Sequence, residues 1–277
     1  MIDIAQSQRL ADVACRASQL MRDPLLTAFR SPIEVDYKRD LHDVVTQYDR
    51  QSEAAIREFI LAEVPDSVVV GEEAGTSGAG RVHWYVDPID GTSNFARGLA
   101  FWCVSVGAVI DDEIVAGAIY DPVANLLFRG DLSGAYLNGE RLRSRAIADE
   151  KQATLITGYP VGRDFRRDGR ETALANFADL VENFSTLRRP GSAALALAHI
   201  AAGWMDAAMG TGVSPWDVTA GILILRQAGG RYEPLGLGKA AKGTPDFLCP
   251  GYVATGAGAN YPTLRRVARD IDAQVPA

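Results

Sequence analysis

One short segment limits this chain more than any other: Trp84-Tyr-Val-Asp-Pro-Ile-Asp-Gly-Thr92, an apolar strand that runs into a turn carrying two carboxylates. Asp87 ends the strand, so its side chain projects from a sheet edge, where the ligands of α/β folds gather. Pro88 fixes its own φ and biases Asp87 away from helix, which makes the turn rigid. Gly91 permits a close backbone approach, and Thr92 can open a helix. Asp87 and Asp90 converge on one point only if something neutralises their repulsion. A hard divalent cation with oxygen ligands does so, and Mg²⁺ is commonly held by one or two carboxylates together with phosphate and water. A helix-capping Asp-Gly turn is the plain alternative.

The segments around that turn alternate between helix and strand. Ile4, Leu10, Val13, Ala14, Ala17 and Leu20 have the spacing of an amphipathic helix over about 3–21, ended by Pro24 and Phe29-Arg-Ser-Pro32. The polar stretch 36–43 reads as a mobile loop or hairpin. Thr46 then suits an N-cap, with Asp49 three residues later, for a helix to about residue 63. Residues 68–70 form a short strand feeding Gly71-Glu72-Glu73, 75–80 read as a glycine-rich loop, and 83–86 are the strand that ends in the acidic turn. Segments 104–110, 114–120, 126–128 and 135–137, parted by turn residues, predict an antiparallel meander. Beyond it, strands at 153–157, 185–187, 204–209 and 252–254 alternate with helices at 169–183, 192–202, 216–227 and 261–275. The pattern predicts layered α/β architecture, with an N-terminal α+β lobe over 1–145 tightly coupled to a C-terminal α/β lobe over 146–277.

The chain of 277 residues carries a net charge of −7. That balance argues against a non-specific nucleic-acid binder, which needs basic surface to displace counterions. It also sits badly with an anionic substrate unless bound cations reverse the local field. Cys15, Cys103 and Cys249 are far apart and odd in number, so they are expected as buried thiols in a reducing compartment. The N-terminus lacks a signal-peptide layout, and no apolar run reaches the roughly 18 residues that span a bilayer. The expectation is a cytoplasmic protein with no membrane role.

Three further acids stand where they could join the turn. Glu72 follows a buried strand, Asp217 in Trp216-Asp217 opens an apolar helix, and Asp49 lies one turn after Thr46. Each alone has an ordinary reading, an exposed acidic loop for Glu72 and helix-end chemistry for the other two. His42, His83 and His199 lie outside every motif and read as structural or surface residues.

Taken in order, the segments Asp43-Val-Val-Thr-Gln-Tyr-Asp49, Gly71-Glu-Glu73, Trp84 to Phe95, Gly191-Ser-Ala193 and Trp216-Asp-Val-Thr-Ala-Gly221 closely resemble the inositol monophosphatase family of lithium-sensitive, metal-dependent phosphatases. Ile119-Tyr-Asp-Pro122, Gly134 to Gly139 and Gln227-Ala-Gly-Gly230 support the match. The resemblance implies the layered α-β-α-β-α sandwich of the inositol monophosphatase and fructose-1,6-bisphosphatase type, usually a homodimer. It also implies two or three Mg²⁺ per site, with Mn²⁺ a substitute and Li⁺ an inhibitor. By the same resemblance Glu72, Asp87 and the carbonyl of Ile89 hold a first metal, and Asp87, Asp90 and Asp217 a second. Glu72, Thr92 and Asp49 are then the catalytic residues, the last two orienting and deprotonating the attacking water. Gly91 and Thr92 amides cradle phosphate, and Asp90, Gly191, Ser192, Ala193, Gly210 and Asp217 face the substrate. Lys38 falls in the family's mobile loop near the metals.

Two departures bear on the substrate. Inositol-preferring members commonly carry a Glu at the place of Gly210, which offers no acceptor, and Gly210 with Gly212 would widen the pocket. The helix after Gly191-Ser-Ala193 lacks the usual acid. The leading expectation is hydrolysis of inositol 1-phosphate or a related polyol or sugar monophosphate, a small phosphorylated substrate with no nucleic acid required. Histidinol phosphate, fructose 1,6-bisphosphate and 3′-phosphoadenosine 5′-phosphate are alternatives. A low-activity regulatory or RNA-associated binding protein is the alternative outside enzymology.

Overall fold

The computed structural model describes residues 2–37 and 44–273. In chain order the elements are α1 (Ile4–Gln19), α2 (Arg22–Ala28), β1 (Asp36–Tyr37), β2 (Val44–Val45), α3 (Gln47–Glu63), β3 (Ser67–Gly71), β4 (Gly75–Ala79), β5 (Val82–Asp90), α4 (Thr92–Arg97), β6 (Cys103–Ile110), β7 (Glu113–Asp121), β8 (Leu126–Asp131), β9 (Gly134–Leu137) and β10 (Glu140–Arg141). They continue as β11 (Thr154–Thr157), α5 (Gly162–Asp168), α6 (Arg170–Asn183), β12 (Thr186–Arg188), α7 (Ala193–Ala201), β13 (Ala207–Thr211), α8 (Pro215–Gln227), β14 (Arg231–Leu235), β15 (Gly251–Thr255) and α9 (Pro262–Asp272).

Strands β3 to β10 build one sheet in the order β10-β9-β8-β7-β6-β5-β3-β4, antiparallel except where β3 lies parallel to β5. The second sheet runs β12-β11-β13-β15-β14. Its residues alternate between two cores, as the pleat requires. Ile156, Ala208, Tyr252 and Ala254 face α7 and α8, whereas Leu155, Met209 and Val253 face α6 and α9. On the far side of the first sheet, Leu10, Ala14 and Ala17 of α1 and Ile56 and Ile60 of α3 cover Trp84, Val106 and Ala108. The result is helix, sheet, helix, sheet, helix, the expected layering.

The middle layer matters most for function, because α8 carries Asp217. Gly107, Gly117 and Gly130 stand opposite one another on β6, β7 and β8. A Cβ on Gly107 would lie 2.6 Å from the Thr219 methyl, one on Gly117 2.8 Å from Ala220 Cα, and one on Gly130 2.9 Å from the Ile224 side chain. The glycines thus form a groove that lets α8 lie against the sheet backbone. Gly221 on the helix admits Leu197 of α7 in the same way, at 2.6 Å for an added Cβ.

Most predicted elements are present within a residue or two, and the structure differs in a few places. Residues 75–79 are not a loop but the edge strand β4, whose Gly-Thr-Ser-Gly-Ala pairs along β3. An exposed edge strand buries neither face, so it carries no apolar alternation to read. Pro24 lies inside the short α2 rather than ending α1, because proline is tolerated in a first helical turn. The loop or hairpin expected over 36–43 falls mostly on 38–43, outside the described residues; β1 and β2 on either side of them pair antiparallel. Helix α5 and strand β14 had no sequence signal: one is a charged heptapeptide and the other is interrupted by Pro234.

Candidate active site

Strand β5 delivers the acidic turn by a break in its own pairing. Asp87 pairs with Ser105 and Asp90 with Cys103, so one extra residue is accommodated between them. Such a bulge bends the strand and re-aims the side chains it carries. Both carboxyls are buried. Asp87 Oδ1 accepts from the Ile89 amide at 3.0 Å, which tightens the turn. Gly91 follows at φ 103°, in the left-handed region that glycine adopts without penalty. A Cβ there would also press within 3.0 Å of the Phe101 carbonyl. Asn94, on α4, donates to the carbonyls of Phe101 at 2.7 Å and Pro190 at 2.6 Å, tying this turn to the start of α7.

Asp90 is anchored by the start of α7. Its Oδ2 accepts from Ser192 Oγ and the Ala194 amide, each at 2.6 Å. Ser192 in turn caps α7 by accepting from the Leu195 amide at 3.2 Å. Asp217 sits in the first turn of α8, where its Oδ2 accepts from the Ser214 amide at 2.7 Å. The parallel pairing of Gly71 with Val86 sets Glu72 beside the end of β5, and Glu72 is half-buried there.

Asp49 divides its two oxygens between two tasks. Oδ2 accepts from the Thr46 amide at 2.8 Å and its hydroxyl at 2.6 Å, which closes the α3 capping box. Oδ1 lies 2.9 Å from Thr92 Oγ1, a hydroxyl also 3.1 Å from the Ile89 carbonyl. The capping and catalytic readings of Asp49 are therefore compatible.

The structure adds residues that sequence reasoning missed. Glu53, fully buried one turn after Asp49, accepts from the Glu73 amide at 2.6 Å and the Ala74 amide at 2.9 Å. Arg57 holds its other side through an ion pair of 2.5 Å. Glu53 therefore fixes the turn that carries Glu72. Gly71 makes room for it, since an added Cβ would run into the Glu53 carboxyl. The signal was present: Asp49, Glu53, Ile56 and Ile60 share the buried stripe of α3, and an acid on such a stripe needs partners. Arg189 donates to the carbonyls of Gly158 at 2.7 Å, Tyr159 at 2.8 Å and Pro160 at 3.1 Å, fixing a wall of the neighbouring cavity.

That cavity measures about 240 Å³. Asp90, Gly191, Ser192, Ala193, Gly210 and Asp217 all line it, as does Arg163, which no motif flagged. Gly210 does not widen it, contrary to expectation. The space its side chain would take is filled by the ring of Tyr252, its partner across the β13–β15 pairing. Lys38 lies outside the described residues.

The electrostatics are those of crowded acids. Burial pushes the Asp87 carboxyl well up, and Glu72, Asp90, Asp217 and Asp49 push it further. Asp217 is raised by burial and by Asp90, against the lowering effect of its bond from the Ser214 amide. Burial also raises Asp90, against the lowering effect of its bonds from Ser192 and Ala194. Acids crowded in this way are relieved by holding a proton or by a cation. Among the described residues, no three or more acids are drawn tightly enough together to form a closed metal-holding group, as mutual repulsion dictates. The donors are nonetheless all oxygen, mostly carboxylate and partly desolvated, which fits a hard cation such as Mg²⁺ and not a soft one.

A layered α/β hydrolase for phosphate esters is the class that this fold and acid set define. The chain belongs to the inositol monophosphatase family, whose model it matches over residues 6–272, and it is a phosphatase of that family. It is 39% identical over 217 residues to a fructose-1,6-bisphosphatase/inositol-1-monophosphatase of Aquifex aeolicus, covering 74% of this chain and 80% of that one. It is 34% identical over 258 residues to the Nus factor SuhB of Pseudomonas aeruginosa, covering 90% and 92%. Among solved structures, the inositol monophosphatase of an Anabaena species superposes with a TM-score of 0.77 at 30% identity, over 97% of both chains. The suhB protein of Bartonella henselae gives 0.82 at 28% identity, over 96% and 99%. The described residues contain no helix long and apolar enough to cross a membrane.

Proposed function

We propose that the chain hydrolyses a small phosphate monoester, inositol 1-phosphate or a related polyol or sugar monophosphate, with Mg²⁺ as cofactor. Glu72, Asp87 and the Ile89 carbonyl would hold one cation, and Asp87, Asp90 and Asp217 another. When bound, Mg²⁺ supplies Lewis acidity at the phosphate oxygens and lowers the pKa of water.

The chain's own residues do the rest. Thr92 Oγ1 gives its proton to Asp49 Oδ1 and offers its lone pairs to the attacking water, so a proton leaving that water passes through Thr92 toward Asp49. Burial raises the Asp49 carboxyl, against the bonds from Thr46 and Thr92 that lower it, which suits a group that must hold a proton briefly. First-turn amides of a helix lack intrahelical partners, so those of Gly91 and Thr92 are available to a phosphate oxygen. Ser192 and Ala194 keep Asp90 in one orientation throughout. No covalent phosphoenzyme is needed.

The observation that carries this reading is the Thr92–Asp49 hydrogen bond set beside the mutually repelling carboxylates of Asp87, Asp90 and Asp217. The test is inorganic phosphate release from a panel of monophosphates with Mg²⁺, with and without Li⁺. Release that needs Mg²⁺ and falls with Li⁺ is expected. No release from any member would overturn the reading and favour a regulatory role, which the name Nus factor SuhB borne by a relative brings into view. A cytoplasmic homodimer is the setting that the reading carries.

A further inference from the structure

Arg163 is the one cation among the described residues that line the cavity, whose other charged members are Asp90 and Asp217. It stands in the first turn of α5 and donates from Nη2 to the Thr211 carbonyl at the end of β13. Its seat is built by the sequence. Gly212 lies at φ 69°, and a Cβ there would run into Arg163 Nε and Cζ. Glycine at 212 therefore leaves the guanidinium its place, as Gly210 leaves Tyr252 its place. Neither glycine opens empty space.

A guanidinium carries five N–H donors in a planar fork, and the bond to Thr211 uses one of them. No described carboxylate pairs with Arg163, although another arginine of the same short helix does pair: Arg167 meets Asp164 at 3.3 Å and Asp168 at 2.5 Å. The ester phosphate is not the obvious partner. Gly91 and Thr92, the residues proposed to hold it, do not line this cavity, whereas Arg163 does. Arg163 therefore stands on the side of the alcohol.

We propose that Arg163 is a specificity residue that binds a second anionic group, a phosphate or a carboxylate, carried by the alcohol portion of the substrate. The inference rests on the phosphatase reading above, and within that chemistry it favours esters with two anionic ends over inositol 1-phosphate, whose alcohol is neutral. A planar fork can meet either oxyanion bidentately.

The test compares kcat/KM with Mg²⁺ for three esters: glycerol 2-phosphate, whose alcohol is neutral, fructose 1,6-bisphosphate and 2-phosphoglycolate. Arg163→Met should lose about 10- to 100-fold on an anionic ester, the range of a charge-assisted hydrogen bond, and less than about threefold on glycerol 2-phosphate. Arg163→Lys, which keeps charge but not the fork, should fall between. Gly212→Ala should reproduce the loss with the arginine still in the chain. A loss confined to the bisphosphate assigns a phosphate partner, and one confined to phosphoglycolate assigns a carboxylate. Equal loss on all three esters, or none on either anionic one, overturns the proposal while leaving the phosphatase reading intact. Wild-type protein inactive on all three would instead bring down that reading, and this inference with it.

Discussion

Asp90 shows how one side chain can serve structure and chemistry together. Its Oδ2 accepts two short hydrogen bonds from the start of α7, so an amide with its oxygen in the same place keeps the anchor and loses only the charge. Asp90→Asn should therefore fold with a near-normal melting temperature, while Mg²⁺-dependent phosphate release falls by about 10³-fold, the scale of losing one charge-stabilising group. Near-normal release would remove Asp90 from the proposed ligand set. Sequence was a good guide at such residues because a motif records which acids share a turn. It was a poor guide to Glu53 and Arg163, whose partners are the amides of 73–74 and the carbonyl of Thr211. Contacts with backbone leave no pattern in the partner's residue types.

Among the elements, α8 decides whether the acids meet. It starts at Ser214 with a capping box that uses Asp217 itself, and it lies in the glycine groove of β6, β7 and β8. Gly117→Ala would put a methyl 2.8 Å from Ala220 Cα, and backbone cannot swing aside as a side chain can. A loss of about 1–3 kcal/mol is expected, as for overpacked cores, with a lower urea midpoint. Turnover should drop as well, because Asp217 moves with the helix. An unchanged midpoint would mean that α8 has slack against the sheet. Amphipathic helices such as α1 and α3 were legible because burial on one face imposes a period. The edge strand β4 and the charged α5 were not, because neither is held by an apolar stripe. Pairing along β3 fixes the first, and the Arg167 bridges hold the second.

For the whole molecule, the layering was legible from the alternation of strands and helices, but the closeness of the layers was not. That closeness shapes the response to acid. His199, at the end of α7, is enclosed by Phe101, Phe128 and Trp204, with ring centroids 5.5, 6.2 and 5.1 Å away. Burial lowers its pKa from 6.5 to about 4. The folded chain thus refuses a proton that the unfolded chain accepts, so this contribution is complete above pH 6.5 and is lost as pH falls toward 4. Between pH 7 and pH 5 it amounts to about 2 kcal/mol by linkage. His199→Phe should narrow the difference between urea midpoints at those two pH values, and an unaltered difference would place the acid sensitivity elsewhere.

The glycine groove has one more consequence. A site assembled from a strand turn and a separate helix would ordinarily gather its acids only when a cation arrives, surrendering freedom of motion in the process. Here backbone lies against backbone over three strands, so α8 cannot drift from the sheet without lifting away along its length. The spacing of Asp217 from Asp87 and Asp90 is thereby settled by packing during folding. On the proposed reading, an incoming cation would meet acids whose backbone is already placed, and little of its binding free energy would be spent on ordering the chain.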